Sequence, residues 1–108
     1  MTVDFNQLRN IEKTILQSQK KIELLIVTKN RSRNDVLVLL ENGYRVFGEN
    51  KVQEASLKFD KFIADNYSDT KLHLIGPLQS NKVGLALEVF DVIQTIDKEK
   101  IVKKIKNQ

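Results

Sequence analysis

The sequence predicts an α/β protein in which an N-terminal helix is followed by four consecutive βα units. Four short apolar runs end near Lys29, Glu49, Ile75 and Ile96, so successive units are 20 to 26 residues long. Segments with helical apolar spacing separate these runs. Units of this size with nearly continuous apolar strands are typical of a parallel sheet covered by helices. Two architectures remain open: a doubly wound open sheet, or the first half of a (βα)8 TIM-like barrel.

The N-terminal segment predicts a helix from Phe5 to Leu16. Its apolar residues recur at positions 5, 8, 11, 15 and 16, which is a helical spacing. Asp4 and Gln7 together form a capping-box pattern in front of this helix. The apolar run Ile22–Thr28 then predicts a buried first strand that ends directly before Lys29.

The first unit continues with a helix that starts at Ser32 and ends at Asn42-Gly43, and the second unit follows. Ser32 and Asp35 form a helix-start pattern, and glycine supplies the left-handed residue past a last turn. Tyr44–Phe47 predicts the second strand, and Gly48-Glu49-Asn50 are expected to follow its end. A single helix is predicted next, with its buried side formed by Val52, Ala55, Phe59, Phe62 and Ile63.

The last two units follow the same pattern. Leu72–Ile75 predicts the third strand, which Gly76-Pro77 ends. Ser80-Asn81 are expected to cap the third helix. Val92–Ile96 predicts the fourth strand, and Asp97 is expected to cap a final helix that runs to the C-terminus.

The composition indicates one ordinary globular domain over residues 1–108. Cysteine is absent, which excludes disulfides and thiolate metal sites. No apolar stretch has membrane-spanning length and no N-terminal signal pattern is visible, so we expect a cytoplasmic protein without a membrane partner. The net charge is +4, and much of the positive excess lies on the polar face of the last predicted helix, at Lys98, Lys100, Lys103, Lys104 and Lys106. Without aromatic stacking positions beside them, a solvated face is favoured over a nucleic-acid partner.

Polar residues cluster directly after the predicted strand ends, at the edge where parallel α/β folds bind ligands. Thr28 to Arg31, Gly48 to Asn50 and Gln79 to Lys82 all fall there. Loops and helix caps are polar in any case, so a small-molecule site and ordinary loops remain equal alternatives at this point. The sequence contains no glycine-rich phosphate-binding motif.

Lys29 is the most informative of these residues, because it ends an apolar strand where turn residues would be expected. A lysine held among apolar surface can attack an aldehyde, which suggests a Schiff-base site of the kind that binds pyridoxal phosphate. The alternative is that Lys29 only extends to water, as most lysines at strand ends do. His73 is the single histidine, so we predict no metal site. It is either a packed core residue or, if it faces the same interior as Lys29, a contact for a planar ring.

Several sequence blocks, in order along the chain, match a known family. They are Leu24–Lys29, Phe47-Gly48-Glu49-Asn50 with Val52-Gln53-Glu54, His73–Lys82 and Thr95-Ile96-Asp97. With these blocks the chain, from about residue 5 onward, resembles the pyridoxal phosphate homeostasis proteins. The resemblance raises the expectation that Lys29 is a Schiff-base lysine.

The resemblance implies a fold-type-III barrel similar to the N-terminal domain of alanine racemase. It implies a protein that carries or buffers pyridoxal 5'-phosphate inside the cell, without an established catalytic turnover and without catalytic residues. The cofactor would be held on Lys29 as a Schiff base, with Thr28 beside the lysine. Asn50 and His73 would lie near the cofactor ring.

The chain departs from the family in length, since family members run to about twice its length and complete the barrel. The resemblance implies that the phosphate cradle lies in the second half. We therefore expect a fragment, a truncated product, or a half barrel that associates with a second copy of itself.

Two other functions remain open. An amino-acid racemase would need an acid or base opposite the lysine, and neither Tyr44 nor Tyr67 is convincingly placed for this. A truncated half barrel that binds nothing is the other alternative.

Overall fold

The computed structural model describes residues 3–19 and 23–93 of the chain. Within these ranges an N-terminal helix is followed by alternating strands and helices. Their bounds are α1 Phe5–Ser18, β1 Ile26–Val27, α2 Arg33–Glu41, β2 Val46–Glu49, α3 Val52–Lys58, α4 Lys61–Asn66, β3 Lys71–Leu74, a 3-10 turn Ser80–Lys82, α5 Val83–Val89 and β4 Val92–Ile93. No helix in this part of the chain is both long and apolar enough to span a membrane.

All four strands pair in parallel, and their order across the sheet is β1-β2-β3-β4. Each crossover therefore leads to the next neighbouring strand. A doubly wound sheet reverses its strand order at a switch point, whereas the strands of a (βα)8 barrel follow one another around the axis. The sequential order confirms the predicted half-barrel class and decides between the two open architectures.

The strand register divides the side chains of the sheet between two faces. One row of lateral partners is Val27, Gly48, His73 and Val92. These residues define the bare face, on which Val27 and Val92 remain 43% and 37% exposed. The opposite, covered face carries Ile26, Phe47, Glu49, Leu72, Leu74 and Ile93.

The hydrophobic core lies between the covered face and the helices that follow the strands. Phe47 and Leu74 are completely buried there, and the Phe47 ring lies 5.4 Å from that of Phe59 at the end of α3. The helices contribute the buried residues Val36, Leu39, Leu40, Val52, Ala55, Ile63, Val83 and Ala86. Burying such a side chain contributes about 1.5–3 kcal/mol before the entropic cost of folding, so this layer stabilises the fold.

Helix α1 begins where the sequence predicts. Asp4 Oδ1 accepts a hydrogen bond from the N–H of Gln7 at 3.1 Å. The ring of Phe5 lies 6.4 Å from that of Tyr44, and the Tyr44 hydroxyl donates to the carboxylate of Glu12. These contacts attach α1 to the segment that enters β2.

Strand β2 lies two residues later than the predicted strand Tyr44–Phe47. The N–H of Tyr44 donates to Leu39 O at 3.1 Å, so Tyr44 is still bonded to the last turn of α2. Gly48 lies within β2, where a Cβ atom would stand only 2.7 Å from Leu25 Cδ2. The expectation that Gly48 and Glu49 follow the strand end is therefore wrong, because this glycine permits close packing and does not form a turn.

The prediction of a single helix from Val52 to Ile63 is also wrong, because this segment forms two helices, α3 and α4. Asp60 Oδ1 accepts a hydrogen bond from the N–H of Ile63 at 3.3 Å and so caps a new helix. The Asp60 carboxylate also pairs with Arg33 Nε of α2 at 2.9 Å. A strong N-cap with a tertiary ion pair thus overrides a continuous apolar stripe.

Three further boundaries differ from the predictions. Strand β1 is confined to Ile26–Val27 within the described residues, although the N–H of Thr28 extends its ladder to Gly48 O at 3.0 Å. Ser80 and Asn81 lie in the 3-10 turn, and α5 begins only at Val83. The predicted end of β4 and the helix after Asp97 lie outside the described residues.

Candidate functional site

Lys29 lies in the turn that follows β1, at the carboxyl edge of the sheet, and its side chain is exposed. Among the described residues it has no ion-pair partner. The preceding Thr28 is completely buried, in keeping with the alternation of side chains along a strand. Continued alternation from Val27 predicts that Lys29 faces the bare side of the carboxyl edge, which is the ligand-binding end of a barrel.

The turn that carries Lys29 has a defined backbone conformation. Thr28 O accepts a hydrogen bond from the N–H of Arg31 at 3.0 Å. Asn30 has a φ of 62°, in the left-handed region that few residues other than glycine adopt. Asparagine is among the residues that tolerate it best.

A buried ion pair lies directly beneath this turn. The Lys58 ammonium donates to Glu49 Oε2 at 2.8 Å and to Thr28 O at 2.8 Å. The Thr28 hydroxyl donates to the same Glu49 oxygen. Glu49 and Lys58 are 0% and 6% exposed, so both charges are removed from water and are stabilised by each other and by these bonds.

Glu54 connects this ion pair to Asn30, the residue that follows Lys29. Its Oε1 accepts a hydrogen bond from the N–H of Asn30 at 3.1 Å and one from Lys58 Nζ at 3.2 Å. These two donors, that of Asn30 first, lower the pKa of the Glu54 carboxyl below its usual value. The ionised form of Glu54 is therefore the one that the turn favours.

His73 lies in β3 on the bare face, directly opposite Gly48. Its ring is partly buried, and neither Nδ1 nor Nε2 has a hydrogen-bond partner among the described residues. An unsatisfied buried polar group costs about 1–3 kcal/mol, so these nitrogens favour a partner added to this face. The side chains of Leu25 and Ile75 pack over the neighbouring Gly48, so the surface beside His73 is apolar.

Asn50 follows β2 and packs tightly against the loop after β3. A Cβ atom on Gly76 would lie 2.9 Å from Asn50 Cβ and 3.0 Å from Asn50 O. Beside this contact, a cleft of about 450 Å³ opens at the carboxyl edge. Its lining includes Asn50, Lys51, Pro77, Gln79 and Lys82. Asn50 is thus held where strand ends and loops meet.

The two tyrosines weighed for racemase chemistry lie elsewhere. Tyr44 precedes β2 and bonds to Glu12, while the ring of Tyr67 precedes β3 and stacks 4.9 Å from the Arg45 guanidinium. Both therefore lie near the amino ends of the strands, whereas Lys29 lies at the carboxyl ends. Neither offers an acid or base for a reaction at this lysine.

The structure thus places Lys29, Asn50 and His73 at or near the carboxyl edge of the sheet. Thr28 is instead buried, and its hydroxyl donates to Glu49. Sequence reasoning missed the contacts of two residues with this turn: that of Lys58 with Thr28 O and that of Glu54 with the N–H of Asn30. A glutamate four residues before a lysine on a helix is a recognisable pairing pattern, and it was present in α3.

The comparison with known proteins identifies homologues, although no family model matches the chain. The chain is 37% identical over 105 residues to the pyridoxal phosphate homeostasis protein of Vibrio alginolyticus, covering 95% of this chain and 45% of that protein. It is 36% identical over 114 residues to the protein of that name from Pasteurella multocida, covering 100% of this chain and 48% of that protein. The chain spans about half the length of the curated relatives it matches.

Solved structures agree with these relatives. PipY of Synechococcus elongatus, solved with PLP bound, matches with a TM-score of 0.74 and 34% identity, over 90% of this chain and 46% of that one. An unknown protein from Bifidobacterium adolescentis matches with a TM-score of 0.76 and 28% identity, over 95% of this chain and 46% of that one.

The fold and the site define half of a parallel (βα) barrel with an exposed lysine at the end of its first strand. The relatives agree with this class: the chain is homologous to proteins named pyridoxal phosphate homeostasis protein over about half of their length. The resemblance drawn from the sequence blocks is thereby confirmed.

Proposed function

We propose that this chain binds pyridoxal 5'-phosphate through Lys29 and serves in holding the intracellular cofactor. The observation that carries this proposal is the exposed amine of Lys29 on a fixed turn at the carboxyl edge, beside a bare sheet face. The cofactor supplies an aldehyde, which condenses with the amine to form an imine and water. PipY, solved with PLP bound, supports the choice of ligand.

The bare face is suited to the ring of such a cofactor. His73 has two buried ring nitrogens without partners among the described residues, and the apolar side chains of Leu25 and Ile75 lie over the neighbouring Gly48. We assign His73 to a contact at the edge of the ring, and Asn50 to the wall of the site. The Thr28 hydroxyl already donates to Glu49, so we assign Thr28 to holding the start of the turn that carries Lys29.

The cofactor phosphate requires several N–H donors, such as those of a helix N-terminus or a backbone nest. We propose that a second half barrel covers the bare face and brings further helix N-termini to the phosphate. The described sheet has four strands, and a barrel of this class has eight. The partly exposed Val27 and Val92 would then be buried between the halves.

A second copy of this chain is the partner that we propose. Sedimentation of the full chain would then show a dimer, and Val27→Glu on the bare face would yield monomers. A wild-type chain that remains monomeric at all concentrations would exclude this partner. The predicted cytoplasmic location and the predicted lack of a nucleic-acid partner would be tested by cell fractionation and by gel-shift assays.

The binding proposal is tested by titrating the chain with pyridoxal 5'-phosphate and following the absorbance of the protein-bound imine. We expect a saturable signal in the wild type that is lost in Lys29→Ala. The matched control is Lys71→Ala, since Lys71 is also exposed but lies at the amino end of β3. A signal that persists in Lys29→Ala, or that Lys71→Ala removes equally, would overturn the assignment of Lys29.

The remaining alternative is a half barrel that binds nothing. It predicts no saturable absorbance in the wild type at any protein concentration. The same titration, repeated across concentrations at which the chain associates, therefore separates this alternative from the proposal.

A further inference from the structure

A buried cluster beneath Lys29 connects α3 to both neighbours of this lysine. We name Thr28, Glu49, Glu54 and Lys58 the lysine clamp. Its Lys58 ammonium is 2.8 Å from Glu49 Oε2 and from Thr28 O, and 3.2 Å from Glu54 Oε1. The ammonium thus joins three acceptors, one at the start of the turn, one in β2 and one on the preceding turn of α3.

The bonds of the clamp converge on the residues before and after Lys29. On one side Lys58 fixes the carbonyl of Thr28, and Glu49 accepts the hydroxyl of Thr28. On the other side Glu54 accepts the N–H of Asn30 at 3.1 Å. Both peptide groups that flank Lys29 are therefore anchored to α3 and β2, while its own side chain remains exposed.

The conformation of Asn30 shows why such an anchor is needed. A residue with φ near 62° occupies a sparsely populated region and persists where surrounding contacts determine it. The bond from Asn30 N–H to Glu54 is such a contact. Without it the turn would sample more common conformations, and the direction of the Lys29 side chain would change with the turn.

A purely structural explanation would treat the cluster as one more buried ion pair. Buried pairs can often be replaced by neutral residues of similar volume without loss of stability, so stability alone does not require these charges. Here, however, the carboxylates and the ammonium extend their bonds to the turn and not only to one another. This arrangement indicates a positional role.

We propose that Lys58, acting with Glu49 and Glu54, is a positioning residue that holds Lys29 in the orientation required for reaction with the cofactor aldehyde. The inference rests on the proposed function, since it concerns the reactivity of Lys29. The clamp touches neither Lys29 Nζ nor the bare face directly. It acts through the two peptide groups on either side of the lysine.

The first part of the test requires no cofactor. Amide hydrogen exchange of Asn30 is measured in the full chain for the wild type, Glu54→Ala and Glu54→Gln. We expect exchange about tenfold faster in Glu54→Ala, the effect of losing one hydrogen bond to a charged acceptor. Glu54→Gln should restore most of the protection, because its amide oxygen still accepts, and core amides such as that of Leu74 should be unchanged in both variants.

The second part measures the selectivity for Lys29. The chain is treated with pyridoxal 5'-phosphate and borohydride, and the ratio of modified Lys29 to modified Lys71 is determined by peptide mass spectrometry. The variant is the double substitution Lys58→Met with Glu49→Gln, which removes both charges at similar volume. The control is Lys61→Met, an exposed lysine at the start of α4.

We expect the ratio to fall about tenfold in the double variant, as for one lost charge-assisted bond, and to stay constant in the control. An unchanged ratio in a folded double variant, together with unchanged Asn30 exchange in Glu54→Ala, would overturn the positional role. If the wild type shows no preference for Lys29, the proposed function fails, and the exchange measurement alone decides whether the clamp fixes the turn.

Discussion

The two faces of the sheet differ sharply in what surrounds them. On the covered face Phe47 and Leu74 are completely buried beneath the helices. On the bare face Val27 and Val92 are 43% and 37% exposed, and Gly48 contributes no side chain. One layer of this chain therefore supplies the stability, whereas the other is the face on which we propose that a ligand and a second half barrel bind.

The two faces meet at the end of β1. Thr28 points into the covered layer and is bonded to Glu49, whereas the next residue, Lys29, is exposed. Alternation along the strand thus allows one residue to be fixed in the core while its neighbour faces the site. The lysine clamp is the connection between the layer that stabilises the fold and the turn that carries the proposed nucleophile.

The largest expected effect separates the two faces directly. Phe47→Ala should lower the free energy of unfolding by about 3–5 kcal/mol, because it opens a cavity in the covered layer. Val27→Ala on the bare face should cost roughly 1 kcal/mol or less, because that side chain is already partly exposed. Urea unfolding of both variants measures the difference, and equal losses would contradict the division into two faces.

The next effect concerns the buried ion pair. Lys58→Met alone should lower the free energy of unfolding by about 3–5 kcal/mol, since it leaves the Glu49 charge buried and uncompensated. Adding Glu49→Gln should recover much of this loss, because no buried charge then remains. Denaturant unfolding of the single and double variants tests this, with Lys61→Met as the control. A double variant that is less stable than Lys58→Met would show that the charges are not paired as described.

Two glycines give a smaller and more selective effect. A Cβ atom on Gly76 would meet backbone atoms of Asn50, which cannot easily move, at 3.0 and 3.2 Å. On Gly48 it would meet the ends of the Leu25 and Ile75 side chains, which can rotate away. Gly76→Ala should therefore cost about 1–3 kcal/mol in unfolding free energy, and Gly48→Ala less. The opposite order in thermal unfolding would contradict the packing at the carboxyl edge.

The smallest effect is a dependence on pH. The pKa values of Asp60 and Glu54 lie below their usual values, that of Asp60 because Arg33 donates a hydrogen bond to it. Each group therefore stabilises the fold above its unfolded pKa of about 4, and this contribution is lost as the pH falls through the lower folded value. Because both side chains are partly exposed, the loss should be below about 1 kcal/mol for each.

This dependence is measured as the urea midpoint between neutral and acidic pH. Asp60→Asn and Glu54→Gln should flatten the profile in that range relative to the wild type. Glu41→Gln, at the exposed end of α2, serves as the control. A wild-type profile as flat as that of the two variants would show that neither carboxylate is stabilised in the folded chain.

The order of elements could be predicted from the sequence, because helical spacing and apolar runs record which residues face the core. Boundaries were less predictable where one residue type serves two purposes. Gly48 is expected from the sequence to follow the end of a strand, but it lies within β2, where the side chains of Leu25 and Ile75 pack over it. Asp60 lies between residues of a continuous apolar stripe, yet it caps a new helix and also pairs with Arg33.

Lys29 can be singled out as a candidate from its position at a strand end, a local feature of the sequence. The lysine clamp was not found, because its bonds join residues 21 and 30 positions apart. No periodicity records such contacts. Only the short-range pair of Glu54 with Lys58 was visible in advance, and it resembled an ordinary helix-surface pair.

The proposed attachment of pyridoxal 5'-phosphate to Lys29 is best tested by finding which lysine carries the bound cofactor. The chain is saturated with pyridoxal 5'-phosphate, reduced with borohydride and digested, and the pyridoxyl group is mapped by tandem mass spectrometry. The structure predicts that Lys29 carries most of the label and that Lys29→Ala takes up little. Label spread evenly over the exposed lysines, and unchanged in Lys29→Ala, would contradict it.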